Sequence, residues 1–534
     1  MSFIVAAAAV AGTGGAEPVR SVDYVVVGAG AAGSVLAHRL SESPEMTVLV
    51  LEAGGPDDDP RIHQPHSFRQ LLGSPFDWGY STEPEPHLDG RRVAWPRGRG
   101  WGGSGSISAM VYVRGHARDF DRWEELGNPG WGYDDVLPYF RKAENQERGP
   151  SEYQGTGGPL NVADPRWVPP VSQAFLDAAV ETGLSRNDGF NGETQEGAGL
   201  YQLNQKNGER HSAAGAYLRP VLHRPNLTVE SHARVTRVRL EGPRAAGVLY
   251  VKQGQTHEVR VRREVILCAG TVGSPQLLML SGIGPARHLE SLGIPVVADL
   301  AGVGENLQDH PRVAITYSSP RPLGFADAAE RERAEREYYR DRHGPLSSNG
   351  VGAGAFVRTS DAQPAPDVQI MLTASPDEGS FSVHATLMHP ASRGSIRLRT
   401  KDPAEPPAIE ADYLEDERDV EGLAKGLQIA RRIASARALD AFRGDELHPG
   451  PDGWHDDALR RHIRANLTTF FHPVGTCRMG TDPLAVVDSR LRVRGIEALR
   501  VVDASVMPTI PAGATHAATV MIAEKGADLV KEEW

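Results

Sequence analysis

Residues 23–27, DYVVV, form an apolar run that ends in the glycine turn GAGAAG and opens into an alanine-rich helical pattern. A second apolar run, TVLVLEAG, carries Glu52 at its end, and together these segments predict a βαβ unit of the dinucleotide-binding kind. Helical patterns are expected over 117–126, 133–143, 171–183 and 210–218. ARVTRVRLEG, AAGVLYVKQ and HEVRVRR, with turn residues between them, predict a three-strand meander. The meander leads to a further apolar run, EVILCAG, and the helical pattern SPQLLMLSGIG, so this late strand is expected to rejoin the first parallel sheet. Residues 325–342 read as a charged helix with a solvated face, Glu332 and Arg336 standing at i, i+4 spacing. Between 367 and 413 the stretches DVQIMLTA, SVHATLMH and GSIRLRT are assigned to an antiparallel sheet, with helices following at 416–438 and 455–466. The tail again reads strand, loop, helix, and is expected to return to the nucleotide domain.

The glycine turn carries the first chemistry. Gly28 allows the tight turn, Gly30 lets the backbone approach a pyrophosphate, and Gly33 lets the helix pack on the strand. The helix N-terminus presents free N–H groups and a positive dipole end to phosphate. A carboxylate at Glu52 is suited to both ribose hydroxyls and disfavours a 2′-phosphate. Residues 54–111 then form a long loop region dense in Gly, Pro, Trp and His, of the kind that carries function.

Composition narrows the class. With 534 residues the chain has room for two structural regions, and its net charge of −12 argues against a nucleic-acid partner. Two cysteines, Cys268 and Cys477, exclude a disulfide scaffold and supply no metal cluster, which makes a reducing cytoplasm the expected location. Residues 1–20 read as a flexible leader without a basic start, too short to span a bilayer, and no transmembrane segment is expected elsewhere. Cys477 is assigned to packing.

Four blocks carry a resemblance. The glycine turn with Glu52, the loop PRGRGWGGSGSISAMVYVRGH, the segment AGTVGSPQLLMLSGIG, and FFHPVGTCRMG with VVDASVMPTIPAGATHAATVMIAEK resemble the glucose-methanol-choline oxidoreductases, from about residue 20 to 531. The resemblance implies an α/β fold: a Rossmann-like FAD-binding domain assembled from discontinuous segments, plus a substrate domain with an antiparallel sheet covered by helices. Its FAD-binding parts are expected at 21–160 (with a flavin-facing loop at 95–115), 226–310 and 466–534, and its substrate-domain parts at 161–225 and 311–465.

Carried over residue by residue, the resemblance places Gly28, Ala29, Gly30, Ala32, Gly33, Glu52 and Ala53 on the ADP part of FAD. Arg99, Gly102, Gly103, Ser104, Ser108 and Ala109 fall on the signature beside the isoalloxazine and pyrophosphate. Val235, Ala269 and Gly270 fall at the adenosine end, and Asp503 and Ala504 near the pyrophosphate and ribityl chain. Ile107 stands where some members attach FAD through histidine, so noncovalent FAD is expected, and Ser108 replaces the usual Asn or His.

The same resemblance makes His472 the general base for alcohol oxidation by hydride transfer to flavin N5, with His516 as the second member of the pair. The product is an aldehyde or ketone, and oxygen or a quinone or other carrier takes the electrons. A hydroxynitrile lyase or fatty-acid photodecarboxylase on the same fold, and a nicotinamide-dependent dehydrogenase, stand as alternatives. His310 and Asn306 are assigned structural roles, whereas His63, His66, Phe68, Phe470 and Phe471 stand equally for pocket or packing.

Overall fold

The computed structural model describes residues 19–325, 327–375 and 379–534, so the first 18 positions of the expected leader lie outside the described residues. Arg20 already belongs to the first strand, Arg20–Val27. That strand lies between Val48–Leu51 and Gln255–Leu267, with Leu227–Glu230 beyond the former and Leu499–Val501 beyond the latter, all parallel. The expected return of the late strand and of the tail is therefore observed in one sheet.

HEVRVRR and EVILCAG do not form separate strands. They are the two halves of a single 13-residue strand, Gln255–Leu267. Its first half pairs antiparallel with Arg244–Lys252, which pairs in turn with Ala233–Glu241, while Val265–Leu267 sit between two parallel neighbours. Mixed exposure thus gives way to complete burial where the meander becomes the covered centre of the sheet.

Helix Ala31–Leu40 and the C-terminal helix Thr515–Lys531 pack together beside this sheet. Glu524, fully buried on the latter, accepts two hydrogen bonds from the Arg39 guanidinium, each 2.8 Å, and one from the Tyr217 hydroxyl at 2.8 Å. The first and last helices are thereby tied through one carboxylate.

A second sheet runs in the order Glu446–His448, Pro311–Ser318, Ser380–Leu387, Val368–Ser375, Ala353–Val357, Gly197–Leu200, all antiparallel, with Thr468–Thr469 also pairing Pro311–Ser318. Alternation along its central strands sends Val313, Ile315, Val383, Ala385, Ile370 and Leu372 into a core shared with helix Glu417–Ala434. The opposite face presents Arg312, His384, Ser382, Gln369, Met371 and Thr373 to a cavity.

Two expectations fail here. GSIRLRT supplies Ser395–Arg397, which pairs with Ala408–Glu410 outside the main sheet. Asp419 accepts the N–H groups of Ala391 and Ser392 at 2.7 and 2.9 Å, which turns the chain away after the preceding strand. Residues 210–218 are not an α-helix: Arg210 ends the small hairpin strand Glu209–Arg210, and Ala214–Leu218 form a π-helical turn closed off by Pro220.

The other helices stand close to their expected positions, at Ala117–Glu125, Tyr133–Ala143, Pro170–Glu181, Ala328–Asp341, Glu417–Ala434 and Asp456–Asn466. The Glu332–Arg336 pair forms at 2.8 Å on an exposed face. Among the described residues, no helix is long and apolar enough to cross a membrane.

Candidate active site

A cavity of about 890 Å³ is lined by residues of both sheets. Two backbone loops build one end. Gly28 has φ +102°, and a Cβ there would lie 2.6 Å from the Cys268 carbonyl oxygen, so the turn after the first strand tolerates only glycine. A Cβ on Gly103, whose φ is +54°, would stand 2.9 Å from the Gly30 Cα, so the two loops touch backbone to backbone. The result is an open cradle whose walls carry few side chains, fit for a large ligand with a phosphate-bearing arm.

Gly28, Gly30, Ala32, Glu52, Ala53, Arg99, Gly103, Ser104, Ser108, Ala109, Val235, Ala269, Gly270, Asp503 and Ala504 all line the cavity. Ala29, Gly33 and Gly102 lie behind its wall. The Ala29 N–H donates to Glu52 at 2.8 Å, and its carbonyl accepts from the Gly102 N–H at 2.7 Å, so these residues brace the loops.

Glu52 is more committed than expected. It also accepts from the Gly54 and Gly100 N–H groups at 2.7 and 3.1 Å, which ties three loops and leaves one carboxylate lone-pair site for a ligand hydroxyl instead of two. Asp503 likewise accepts from the Gly270 N–H, the Ser274 hydroxyl, and both the N–H and hydroxyl of Ser505. Its acceptor capacity is filled, and it shapes the wall by holding Gly270 and Ala504 in place. The Ser108 hydroxyl is occupied within its own loop by the Gly105 carbonyl, the Met110 N–H and Arg210.

His472 and His516 line this same cavity. The His472 backbone N–H donates to Asp309 at 2.7 Å, and its ring meets the Phe470 ring at 4.7 Å. Its Nδ1 lies 3.0 Å from Nδ1 of His310, whose Nε2 lies 3.0 Å from the Met388 carbonyl oxygen. A carbonyl only accepts, so His310 carries its proton on Nε2 and offers Nδ1 as a lone pair. His472 must then donate from Nδ1, which leaves its Nε2 unprotonated and basic.

Burial, followed by the fields of His310, Arg97 and Arg312, holds His472 well below the usual imidazole range. Burial lowers His310 to about 3, and burial with the field of Arg210 lowers His516 to about 4. All three rings are neutral at pH 7. Among the described residues neither ring nitrogen of His516 has a hydrogen-bond partner, as befits a buried side chain awaiting a ligand.

The structural reading of His310 is therefore too modest, because it sets the tautomer of the cavity histidine. Asn306 keeps that reading: it donates to the Gly475 and Pro508 carbonyls at 3.2 and 3.3 Å. His63 and His66 are engaged with backbone carbonyls, whereas Phe68, Phe470 and Phe471 line the cavity. Both cysteines are free and buried, with their thiols pushed well up by burial.

Five cavity arginines escaped the sequence reading, Arg69, Arg97, Arg210, Arg234 and Arg312. Arg97 donates to the Phe471 carbonyl at 2.6 Å, and Arg210 to those of Ile62 and Gly105 at 2.6 and 3.0 Å. Arg312 had a usable signal, since alternation in PRVAITYS puts it opposite to Val313 and Ile315. Arg210 had none.

Comparison with known proteins agrees with this geometry. N- and C-terminal profiles, both described as GMC oxidoreductase, match residues 22–312 and 390–523. The chain is 44% identical over 530 residues to mitochondrial choline dehydrogenase of Mus musculus, covering 95% of this chain and 89% of that protein. It is 42% identical to an oxygen-dependent choline dehydrogenase of Burkholderia cenocepacia, covering 96% and 94%. Among solved structures, pyridoxine 4-oxidase from Mesorbium loti superposes with a TM-score of 0.88 at 36% identity, covering 95% and 98%.

Proposed function

We propose that this chain, which belongs to the GMC oxidoreductase family, oxidises its alcohol with His472 as general base and His516 holding the reacting oxygen. The protein is an FAD-dependent oxidoreductase that acts on CH–OH groups. Bound FAD supplies the hydride acceptor. The two glycine loops would hold it noncovalently, since Ile107, which lines the cavity, offers no atom for a covalent link.

The observation that carries this reading is the His310–His472 hydrogen bond. It leaves Nε2 of His472 as a lone pair to receive the hydroxyl proton as hydride leaves the α-carbon, so no free alkoxide has to form. His516, neutral and without a partner, can donate to or accept from the same oxygen and fix the alcohol's orientation.

The first sheet and its helices form the nucleotide-binding part, and the second sheet and helix Glu417–Ala434 the substrate part. Ala214–Leu218 packs in the first core although residues up to 225 were expected in the substrate part. Two free thiols suit a reducing compartment. Oxygen or a quinone-type carrier reoxidises the flavin, and parallel assays of oxygen uptake and dye reduction separate the two.

Anaerobic mixing with a panel of alcohols tests the reading, and choline belongs in that panel because relatives carry its name. We expect bleaching of the visible flavin band by at least one alcohol. His472→Ala should slow that bleaching by ~10²-fold or more with FAD retained. An unchanged rate in His472→Ala overturns the assignment. Acid precipitation should release FAD into the supernatant, and flavin left in the pellet would refute noncovalent binding.

A further inference from the structure

We infer that the alcohol oxidised here also carries a carboxylate, that Arg312 binds this group, and that a quaternary ammonium alcohol is refused. This rests on the placement of alcohol oxidation at His472.

Arg312 begins the strand Pro311–Ser318 and projects from the polar face of the second sheet into the cavity. Among the described residues no carboxylate forms an ion pair with it, and no carbonyl or hydroxyl accepts from its guanidinium. Its Nε is enclosed without a partner. Asp309 exerts a field on it, but that carboxylate is already taken by the hydroxyls of Tyr413 and Thr469 and by the His472 N–H.

A half-buried guanidinium that opens only onto a cavity, with its Nε cut off from any partner and no counter-charge beside it, is costly. Proteins keep such a group where a ligand completes it, and a planar carboxylate matches its fork of donors. Burial and the field of Arg69, which lines the same cavity, both work against the charged form of Arg312.

Aromatic rings strengthen the discrimination. Arg312 lies 5.4 Å from the centroids of both Phe470 and Phe471. Their faces, which could otherwise receive a trimethylammonium group, already serve an arginine. The Phe470 ring in turn touches His472 at 4.7 Å, so a single aromatic ring separates the anion site from the base.

The test uses the FAD-loaded enzyme and two independent readouts. Titration with acetate, benzoate and tetramethylammonium, followed by the flavin spectrum, reports binding without turnover. Steady-state kcat/KM for 4-(hydroxymethyl)benzoate, its amide and choline reports selection. We expect the two carboxylates to perturb the spectrum and tetramethylammonium to leave it unaltered, with the hydroxy acid preferred over both other alcohols. Arg312→Gln should cut the acid-to-amide ratio by about 30-fold or more, as removal of one partner of a buried charge pair does. Arg312→Lys should keep part of the preference, which serves as the control if the Gln variant loses FAD, and Arg312→Glu should shift selection toward choline.

Wild-type enzyme that oxidises choline or the amide as well as the acid, with no spectral response to acetate or benzoate, overturns the assignment. If no alcohol reduces the flavin, the reading of His472 falls instead, and the carboxylate titration still decides the role of Arg312.

Discussion

His310 and His472, 162 positions apart in the chain, meet Nδ1 to Nδ1 at 3.0 Å. The second hydrogen bond of His310, to the Met388 carbonyl, gives this contact a direction. His472 becomes the donor, and its other nitrogen keeps the lone pair that the proposed reaction uses as base. The same logic holds the catalytic histidine of hydrolase triads in one tautomer, there with a carboxylate as the orienting group.

Replacing His310 should therefore damage catalysis without emptying the site. In His310→Ala we expect flavin reduction by alcohol to slow by ~10- to 10²-fold, with FAD content and KM close to the parent, because one imidazole tautomer is no longer selected. Stopped-flow reduction beside a flavin-to-protein absorbance ratio measures both. Full activity in this variant would remove the orienting role.

The pH profile carries a sign. An ordinary histidine base would lose activity as pH falls through about 6.5. Here burial and three cationic or histidine neighbours favour neutral His472, so kcat/KM should stay level through that region and fall only at lower pH. Arg312→Gln removes one positive neighbour and should move the acid limb upward. An acid limb at 6.5 or above in the parent enzyme would contradict the argument.

Stability should respond to acid in a separate window. Burial lowers His38, His211 and His516 to about 4 and His310 to about 3. Below pH ~6.5 the unfolded chain binds protons that these folded-state rings do not, so folding stability falls with pH from there down to about 4. Asp482, held down to about 2 by its hydrogen bond with Arg478, acts in the same sense but in a lower window, its contribution being lost only as pH falls below the usual carboxylate range. Thermal unfolding at pH 7.5, 6 and 5 should show the decline before the carboxylates titrate.

Gly28→Ala places a methyl group 2.6 Å from the Cys268 carbonyl oxygen, in a backbone conformation with φ +102°. Neither contact partner is flexible. The variant should purify with little FAD, read as loss of the yellow colour per mole of protein, while far-UV circular dichroism shows how much fold survives.

Glu524→Ala removes the acceptor shared by Arg39 and Tyr217 where helices Ala31–Leu40 and Thr515–Lys531 meet. Breaking one side of a buried pair costs about 3–5 kcal/mol. A chemical-denaturation midpoint equal to the parent's would show that the clamp contributes little.

Several parts of this protein were legible before any coordinates. Strand, glycine turn, helix and acidic strand end lie within 30 residues from Asp23 to Glu52, so local turn chemistry and periodicity suffice to predict a nucleotide fold. The motif pair around His472 and His516 was equally readable. The meander fused to the parallel strand was not, because alternation and continuous apolarity look like two elements when the neighbours that cause the change are unseen. Part of what Glu52 does was hidden for a related reason: its type and spacing fit ribose binding, but the N–H groups of Gly54 and Gly100 reach it only in the fold.

By itself, then, the order of residues determined the kind of fold and the class of cofactor and pointed to two histidines that share one cavity, since each rests on short-range pattern or on motifs that stay whole in the chain. The partner that orients His472, and the absence of one for Arg312 among the described residues, were decided by tertiary structure alone. Whether a polar group finds a counterpart depends on which distant segments packing brings within 3 to 4 Å, the reach of a hydrogen bond or ion pair, and no local periodicity encodes that distance.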